Sequence, residues 1–270
     1  MSVAAGTVVD NDDGAGAPEG RGMHSWVTGP FLGFDTETTG VDPRTDRIVT
    51  AALVMRDTRE TRQRTWLVDP GVEIPQAASD VHGITTDHAR AEGVQPRQAL
   101  EELATELTSA VRAGVPVVAY NACFDVPLLE HELARWGLPT LTDRLGGPPG
   151  PVLDPLVIDR ALDRERPGKR KLVDLCRHYR VPTRAALHTA EVDVLATLDL
   201  LDCLLRTFPE LCGRSLEELH GWQRAWHRAW AVSHNDQRLR EGLTGPGVDL
   251  EWLAPLEPGA AARGTAVTVG

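Results

Sequence analysis

Four cysteines, Cys123, Cys176, Cys203 and Cys212, are spread over 270 residues with no CxxC and no paired spacing. That excludes a zinc-ribbon arrangement and a disulfide framework, and reduced, mostly buried thiols are expected. No apolar run approaches the roughly 18–20 residues that a membrane-spanning helix needs. The first 22 residues are acidic and rich in Gly and Ala, with no apolar segment of the kind a secretory signal carries. A soluble, cytoplasmic protein is therefore expected. No internal repeat is visible. Positive charge is also scarce: 28 Lys+Arg stand against 39 Asp+Glu, for a net charge of −11. Taken alone, that deficit argues against a polyanionic partner. What is present is ordinary globular material, 41% apolar and 25% charged, enough for one sizeable core in one large or two small domains.

The chain divides by pattern. Residues 1–25 read as a disordered tail and residues 242–270, rich in Gly, Pro and Ala, as a flexible one. Between them, 26–210 alternates strand and helix. Phe31–Phe34, Arg47–Met55 and Arg62–Val68 form three strands of a meander that ends at Asp69-Pro70-Gly71. Leu100, Leu103, Leu107 and Val111 share one face of a helix over Pro96–Ala113. Pro116–Tyr120 is a buried strand, Val126 to Trp136 an amphipathic helix, and Val152-Leu153 a short strand. Lys171–Arg180 and Thr189–Phe208 are two more helices. This order implies an α/β domain with a mixed sheet. A last helix over 215–241 opens with a Ser215/Glu218 capping box. It carries Trp222, Trp226 and Trp230 at steps of four, a stripe that suits packing on the main domain or a dimer partner better than base stacking.

Three acidic motifs stand out. Asp35, read as the end of the first strand, and Glu37 are two residues apart, which puts both on one face of an extended chain. Two carboxylates side by side repel unless a cation lies between them, and carboxylate oxygens suit Mg²⁺ or Mn²⁺. By itself, though, such a pair also occurs on ordinary surface strands. Asp125 opens the helix after the buried strand and alone reads as a helix-terminal aspartate. His188 and Asp193 are five residues apart, about 140° around an ideal helix, so they converge only if His188 is still in the loop. Alone, His188 reads as a surface histidine.

Taken in order, Asp35-Thr36-Glu37-Thr38-Thr39-Gly40, Asn121-Ala122-Cys123-Phe124-Asp125 and His188-Thr189-Ala190-Glu191-Val192-Asp193 resemble the DEDDh 3′→5′ exonucleases. This group includes the proofreading subunit of bacterial replicative DNA polymerase, oligoribonuclease and ribonuclease T. The resemblance spans roughly Phe31 to Phe208, and Val81-His82-Gly83-Ile84-Thr85 looks like the family's segment between its first two motifs. It implies a ribonuclease-H-like, mixed five-stranded sheet flanked by helices, with the 215–241 helix as an extension. Asp35, Glu37, Asp125 and Asp193 match the four acidic positions and His188 matches the histidine. The chain departs from the family at Tyr120, where many relatives have His, at Thr189, where Arg is common, and at Val194, where Ala is common. None of these removes a catalytic group.

The resemblance also implies two bound ions, Mg²⁺ or Mn²⁺. Asp35 would bridge them, with Glu37 and Asp193 completing the nucleophile-side ion and Asp125 holding the other through water. His188 would take the proton from the attacking water. The implied reaction is release of 5′-mononucleotides from single-stranded 3′ ends, in proofreading or repair, with a DNA polymerase as a partner to consider. DNA is favoured over RNA, since the first motif looks closer to the DNA-proofreading branch. The alternatives are an RNA or oligoribonucleotide exonuclease and a catalytically idle nucleic-acid-binding or polymerase-docking module. Thr38, Thr39, His82, Asn121 and Phe124 are candidates to contact the terminal nucleotide; local turns or, for Phe124, the core would use them equally well. Arg160–Arg184 holds a net +6, so Lys169, Arg170 and Lys171 are candidate phosphate contacts, or else one solvated face of an acidic protein.

Overall fold

The computed structural model describes residues 23–182, 189–254 and 256. Its centre is a five-stranded mixed sheet of order β3-β2-β1-β4-β5. β1 (Phe31–Thr38), β2 (Ile48–Arg56) and β3 (Thr61–Leu67) form the antiparallel meander. The β2–β3 turn closes on Asp57, whose Oδ1 accepts the Arg59 and Glu60 amides at 2.6 and 2.9 Å. β4 (Val117–Val118) and β5 (Val152–Leu153) join parallel to β1. The fold class and sheet expected from sequence are those observed.

One detail at β1 differs. The strand runs on to Thr38 instead of ending at Asp35, because pairing with β2 continues through Asp35↔Ala52 and Glu37↔Thr50 and slips only at a bulge between Glu37 and Thr38. Backbone hydrogen bonds to a long neighbour extend a strand beyond the point where its apolar side chains stop.

Helices cover both faces of the sheet. α3 (Pro96–Arg112) and α4 (Ala122–Arg135) bury Leu100, Leu103 and Leu129 with Leu32 and Phe34. On the other face α6 (Pro155–Leu162), α7 (Leu172–His178) and α8 (Ala190–Thr207) bury Ile158, Leu175, Val194 and Leu198 with Ala52, Val54 and Val118. α8 lies very close to β1 at Gly33: a Cβ there would sit 2.3 Å from Val194 Cγ1 and 3.1 Å from Leu198 Cδ1. Gly33 is therefore the residue that lets the helix settle on the strand.

Four helices have no counterpart in the sequence pattern: α1 (Gln76–His82), α2 (Thr86–Glu92), α5 (Leu141–Leu145) and α6. Each has at most eight residues, too few for a period to show. Local caps mark them instead. Thr85 accepts the His88 amide, Thr140 and Asp143 form a capping box, and Asp154 accepts the Leu156 amide with Pro155 in the first helical turn.

α9 (Leu216–Arg240) starts at the expected capping box on Ser215 and Glu218. It seals the open edge of β5 through Gln223, which is fully buried: Nε2 donates to the Val152 carbonyl at 2.9 Å and Oε1 accepts the Asp154 amide at 2.7 Å. The chain then folds back. Asn235 exchanges two hydrogen bonds with Val248, His227 Nε2 donates to the Asp249 carbonyl, and Trp252, 1% exposed, enters the main core. Residues 248–253 thus depart from the flexible tail expected over 242–270, because one indole buried among apolar side chains outweighs a Gly- and Pro-rich composition. Within the 1–25 segment read as a tail, His24 N donates to the Cys212 carbonyl, and next to it buried Trp26 donates to the Arg214 carbonyl at 2.7 Å. All four cysteines are free, but only Cys176 is buried; the other three are partly exposed.

Candidate active site

Gly33, Asp35 and Glu37 alternate along β1 and so face α8. Because Gly33 draws α8 in, Asp193 in the first turn of that helix comes up beside them. A carboxylate oxygen of each of Asp35, Glu37 and Asp193 lies within 4.8 Å of the other two. Asp125, 4% exposed, comes from the first turn of α4 on the opposite side of the sheet. Thr36, between the two β1 carboxylates, points to that side and donates Oγ1–H to Asp125 Oδ1 at 2.5 Å. The β1 pair, α4 and α8 thus deliver four carboxylates to one end of the sheet.

Crowding shows in the acidities. Enclosure raises the Asp35 carboxyl well above its ordinary value, and repulsion from Asp125, Asp193 and Glu37 adds to it. Glu37 is pushed up to about 7 by burial, then by Asp193, Asp125 and Glu191. Asp125 also rises to about 7, since desolvation outweighs the hydrogen bonds from Thr36 and the backbone. No lysine or arginine pairs with Asp35, Glu37 or Asp125 among the described residues. Oxygen donors and mutual repulsion fit a hard divalent metal. Glu191, two residues before Asp193 in the first turn of α8, is the additional acid that the sequence motifs did not single out; its closeness to Glu37 follows from where α8 begins.

A family model for exonucleases, RNase_T, matches residues 32–201. The chain belongs to this exonuclease family. The family is that of the DEDD 3′→5′ exonucleases. Among relatives, this exonuclease is 31% identical over 185 residues to a PolC-type DNA polymerase III of Streptococcus mutans, a match that takes in 68% of this chain but 12% of that one. Among solved structures, exonuclease I from Methylocaldum szegediense superposes with a TM-score of 0.55 at 23% identity, over 67% of this chain and 41% of the other. E. coli exonuclease I in complex with a dT13 oligonucleotide gives 0.55 at 22% identity, over 67% and 42%. This exonuclease therefore spans less than half of those proteins, and the structural likeness is one of fold.

The other sequence candidates fall in different places. His188 lies outside the described residues. A cavity of about 220 Å³ opens beside Glu37, lined by His82, Ile84, Trp66 and Glu191 among others. His82 is buried and its Nδ1 accepts the Ile84 amide, so Nε2 carries the proton. Burial lowers its pKa, which keeps the ring neutral. Thr39 is committed to the loop after β1: Oγ1 donates to Asp46 and accepts the Arg47 amide. Thr38 Oγ1 donates to the Gly40 carbonyl at 2.6 Å. Asn121 caps α4 in a left-handed conformation (φ 61°) and its Oδ1 accepts from the Cys123 thiol. Phe124 is partly buried against the main core.

In the basic segment, Arg166 and Arg170 both turn inward to Asp159, which is fully buried and also accepts from Tyr179. Arg170 therefore holds the 163–171 loop in place, while Lys169 and Lys171 are exposed. Asp154, which no motif marked, has a positioning role. Fully buried, it accepts the amides of Asn121 and Ala122 at 3.0 and 2.9 Å and so fixes the start of α4, and with it Asp125. The only trace of it in sequence is an Asp-Pro pair after a short apolar run.

Proposed function

We propose that this exonuclease hydrolyses single-stranded DNA 3′ ends to 5′-mononucleotides with two divalent ions, Mg²⁺ or Mn²⁺, held by Asp35, Glu37, Asp125 and Asp193. The observation that carries this reading is the convergence of three carboxylate oxygens within 4.8 Å, with Asp125 tied in through Thr36. Bound cations supply charge stabilisation at phosphorus and at the leaving 3′ oxygen, and acidify a bound water. The rest falls to side chains of this chain. Asp35, which feels Asp125, Asp193 and Glu37 together, would be the central ligand of the ions. Thr36 keeps the Asp125 oxygen oriented. His188 takes the proton from the attacking water. The cavity beside Glu37, with the neutral His82 in its wall, suits a terminal nucleoside. The dT13 oligonucleotide in the E. coli exonuclease I structure supports a single DNA strand as substrate, and the PolC likeness supports work beside a polymerase, in proofreading or repair. No helix among the described residues is long and apolar enough to cross a membrane, in keeping with a cytoplasmic role.

The deciding assay incubates 5′-labelled DNA and RNA strands carrying single-stranded, mismatched or paired 3′ ends with Mg²⁺ or Mn²⁺. Wild type should shorten single-stranded DNA fastest, and Asp35→Ala and His188→Ala should not. Unchanged activity in Asp35→Ala overturns the proposal. Faster turnover of matched RNA ends moves the substrate to RNA. A complete absence of hydrolysis in wild type, with binding retained, moves the protein to the idle docking module.

A further inference from the structure

A cavity that the catalytic reading does not use lies between α6 and α9 and measures about 410 Å³. Arg160, Arg164, Arg170, Trp226, His227 and Trp230 are in its wall, and no Asp or Glu is. In a chain of net charge −11 that is an unusual composition. Arg170 is spent on Asp159. The Arg160 guanidinium lies 3.6 Å from the centre of the Trp230 ring and makes no direct salt bridge among the described residues, although it sits in the field of buried Asp154. Arg164 uses only Nε, on the Ala161 carbonyl. Two guanidinium heads are thus available to an anion.

His227 adds a second, independent sign. It is 2% exposed, and its Nε2 donates to the Asp249 carbonyl, which leaves Nδ1 as a hydrogen-bond acceptor. That Nδ1 has no partner among the described residues. Buried polar atoms without partners are uncommon and cost about 1–3 kcal/mol each. The tryptophan stripe also divides here. Trp222 is packed against the core with Arg214 over its ring, whereas Trp230 belongs to none of the apolar clusters, stacks on His234 and lines this cavity.

We propose that this cavity binds a nucleotide unit. Forked guanidinium donors suit a phosphate, the stacked Arg160, Trp230 and His234 side chains give a flat cationic wall for a heteroaromatic base to lie along, and a lone imidazole acceptor suits a base N–H. The volume is in the range of small-ligand sites. The position suits it as well: Tyr120 donates to the Arg170 carbonyl beside the cavity, and the same loop leads on to Asp125. Cys123, between the two, feels the charge of both Arg160 and Asp125. The unit is either a nucleotide of the substrate strand on the 5′ side of the scissile end or a free 5′-mononucleotide. The strand source rests on the exonuclease reading; the mononucleotide source does not.

The test uses the full chain in EDTA, so that no hydrolysis occurs. A labelled twelve-nucleotide thymidine strand and a thymidine trinucleotide are titrated by anisotropy, and dAMP by indole fluorescence. In the Arg160→Gln/Arg164→Gln double variant, loss of about tenfold in affinity for the long strand with the trinucleotide unmoved assigns the site to the strand. Saturable dAMP quenching in wild type, lost in Trp230→Leu and the double variant, assigns it to free nucleotide. Arg164→Gln alone, at an exposed position, guards against misfolding and should show the same direction of change. If neither titration moves in any variant, the proposal falls. Trinucleotide hydrolysis with Mg²⁺ restored reports separately on the catalytic reading.

Discussion

Asp35 and Thr36 carry different parts of the site and should fail differently. Asp35→Asn keeps the shape but removes the central negative charge, so hydrolysis should drop on the order of 10³-fold or more with the far-ultraviolet circular dichroism unchanged. Thr36→Val removes only the hydroxyl that orients Asp125. Groups that orient a metal-binding carboxylate are typically worth 10–100-fold, so a Mn²⁺ titration of activity should shift to concentrations higher by about that factor, with kcat recovered at saturation. Loss of kcat that saturating Mn²⁺ cannot restore would show that Thr36 does more than orient. Spacing alone foretold that Asp35 and Glu37 share a face. It did not reveal Thr36, because its role depends on a helix that starts 86 residues later in the chain.

Between elements, two residues with no chemistry of their own decide whether the carboxylates meet. Gly33 sets the α8–β1 distance. In Gly33→Ala the added Cβ would meet Val194 Cγ1 at 2.3 Å, and a core overpacked in this way typically loses about 1–3 kcal/mol. Thermal unfolding should register that loss, and activity should fall further than stability because Asp193 moves with the helix. Asp154→Ala strips the caps from the starts of α4 and α6, leaving the Asn121, Ala122 and Leu156 amides without their acceptor. A loss of about 2–5 kcal/mol in urea unfolding is expected. Both elements were visible as hydrophobic patterns, but their mutual distance was not: a period of 3.6 or 2 says which face is buried and nothing about what it is buried against.

For the molecule as a unit, the raised acidities make stability depend on pH in an unusual direction. Folded Glu37 and Asp125 hold protons up to about 7, whereas unfolded carboxyls release them near 4. The folded state therefore binds more protons across that window, and the metal-free protein should lose stability as pH rises from about 4 to about 7. Melting temperature in EDTA should fall over that interval, and added Mg²⁺ should restore more at pH 8 than at pH 5. A flat profile would mean that the cluster does not carry its repulsion into the folded state. Charge distribution matters on the same scale. Arg166 and Arg170 neutralise Asp159 internally, so the +6 of the basic segment overstates what a strand can reach. Lys169→Ala/Lys171→Ala, which leaves that internal pairing alone, should lower the salt dependence of strand binding without a change in melting temperature.

The order and type of the long elements, the mixed sheet and the three acidic motifs could all be read from the chain, because alternation, helical period and capping boxes are local properties. The short helices α1, α2, α5 and α6 could not be read, since five to eight residues hold too little pattern. Nor could the end of β1, which hydrogen bonds to β2 carry past its apolar stretch, or the return of Trp252 to the core from a segment whose composition looks loose. The net charge of −11 was misleading for a related reason: a sum over residues has no positions. Only folding decides that four like charges gather at one end of the sheet, that two arginines close on a buried aspartate, and that another lies over a tryptophan ring. Chain spacing sets which side chains point the same way along one element. Which elements come together is settled by burial of their apolar faces, and the chemistry sits where those faces end.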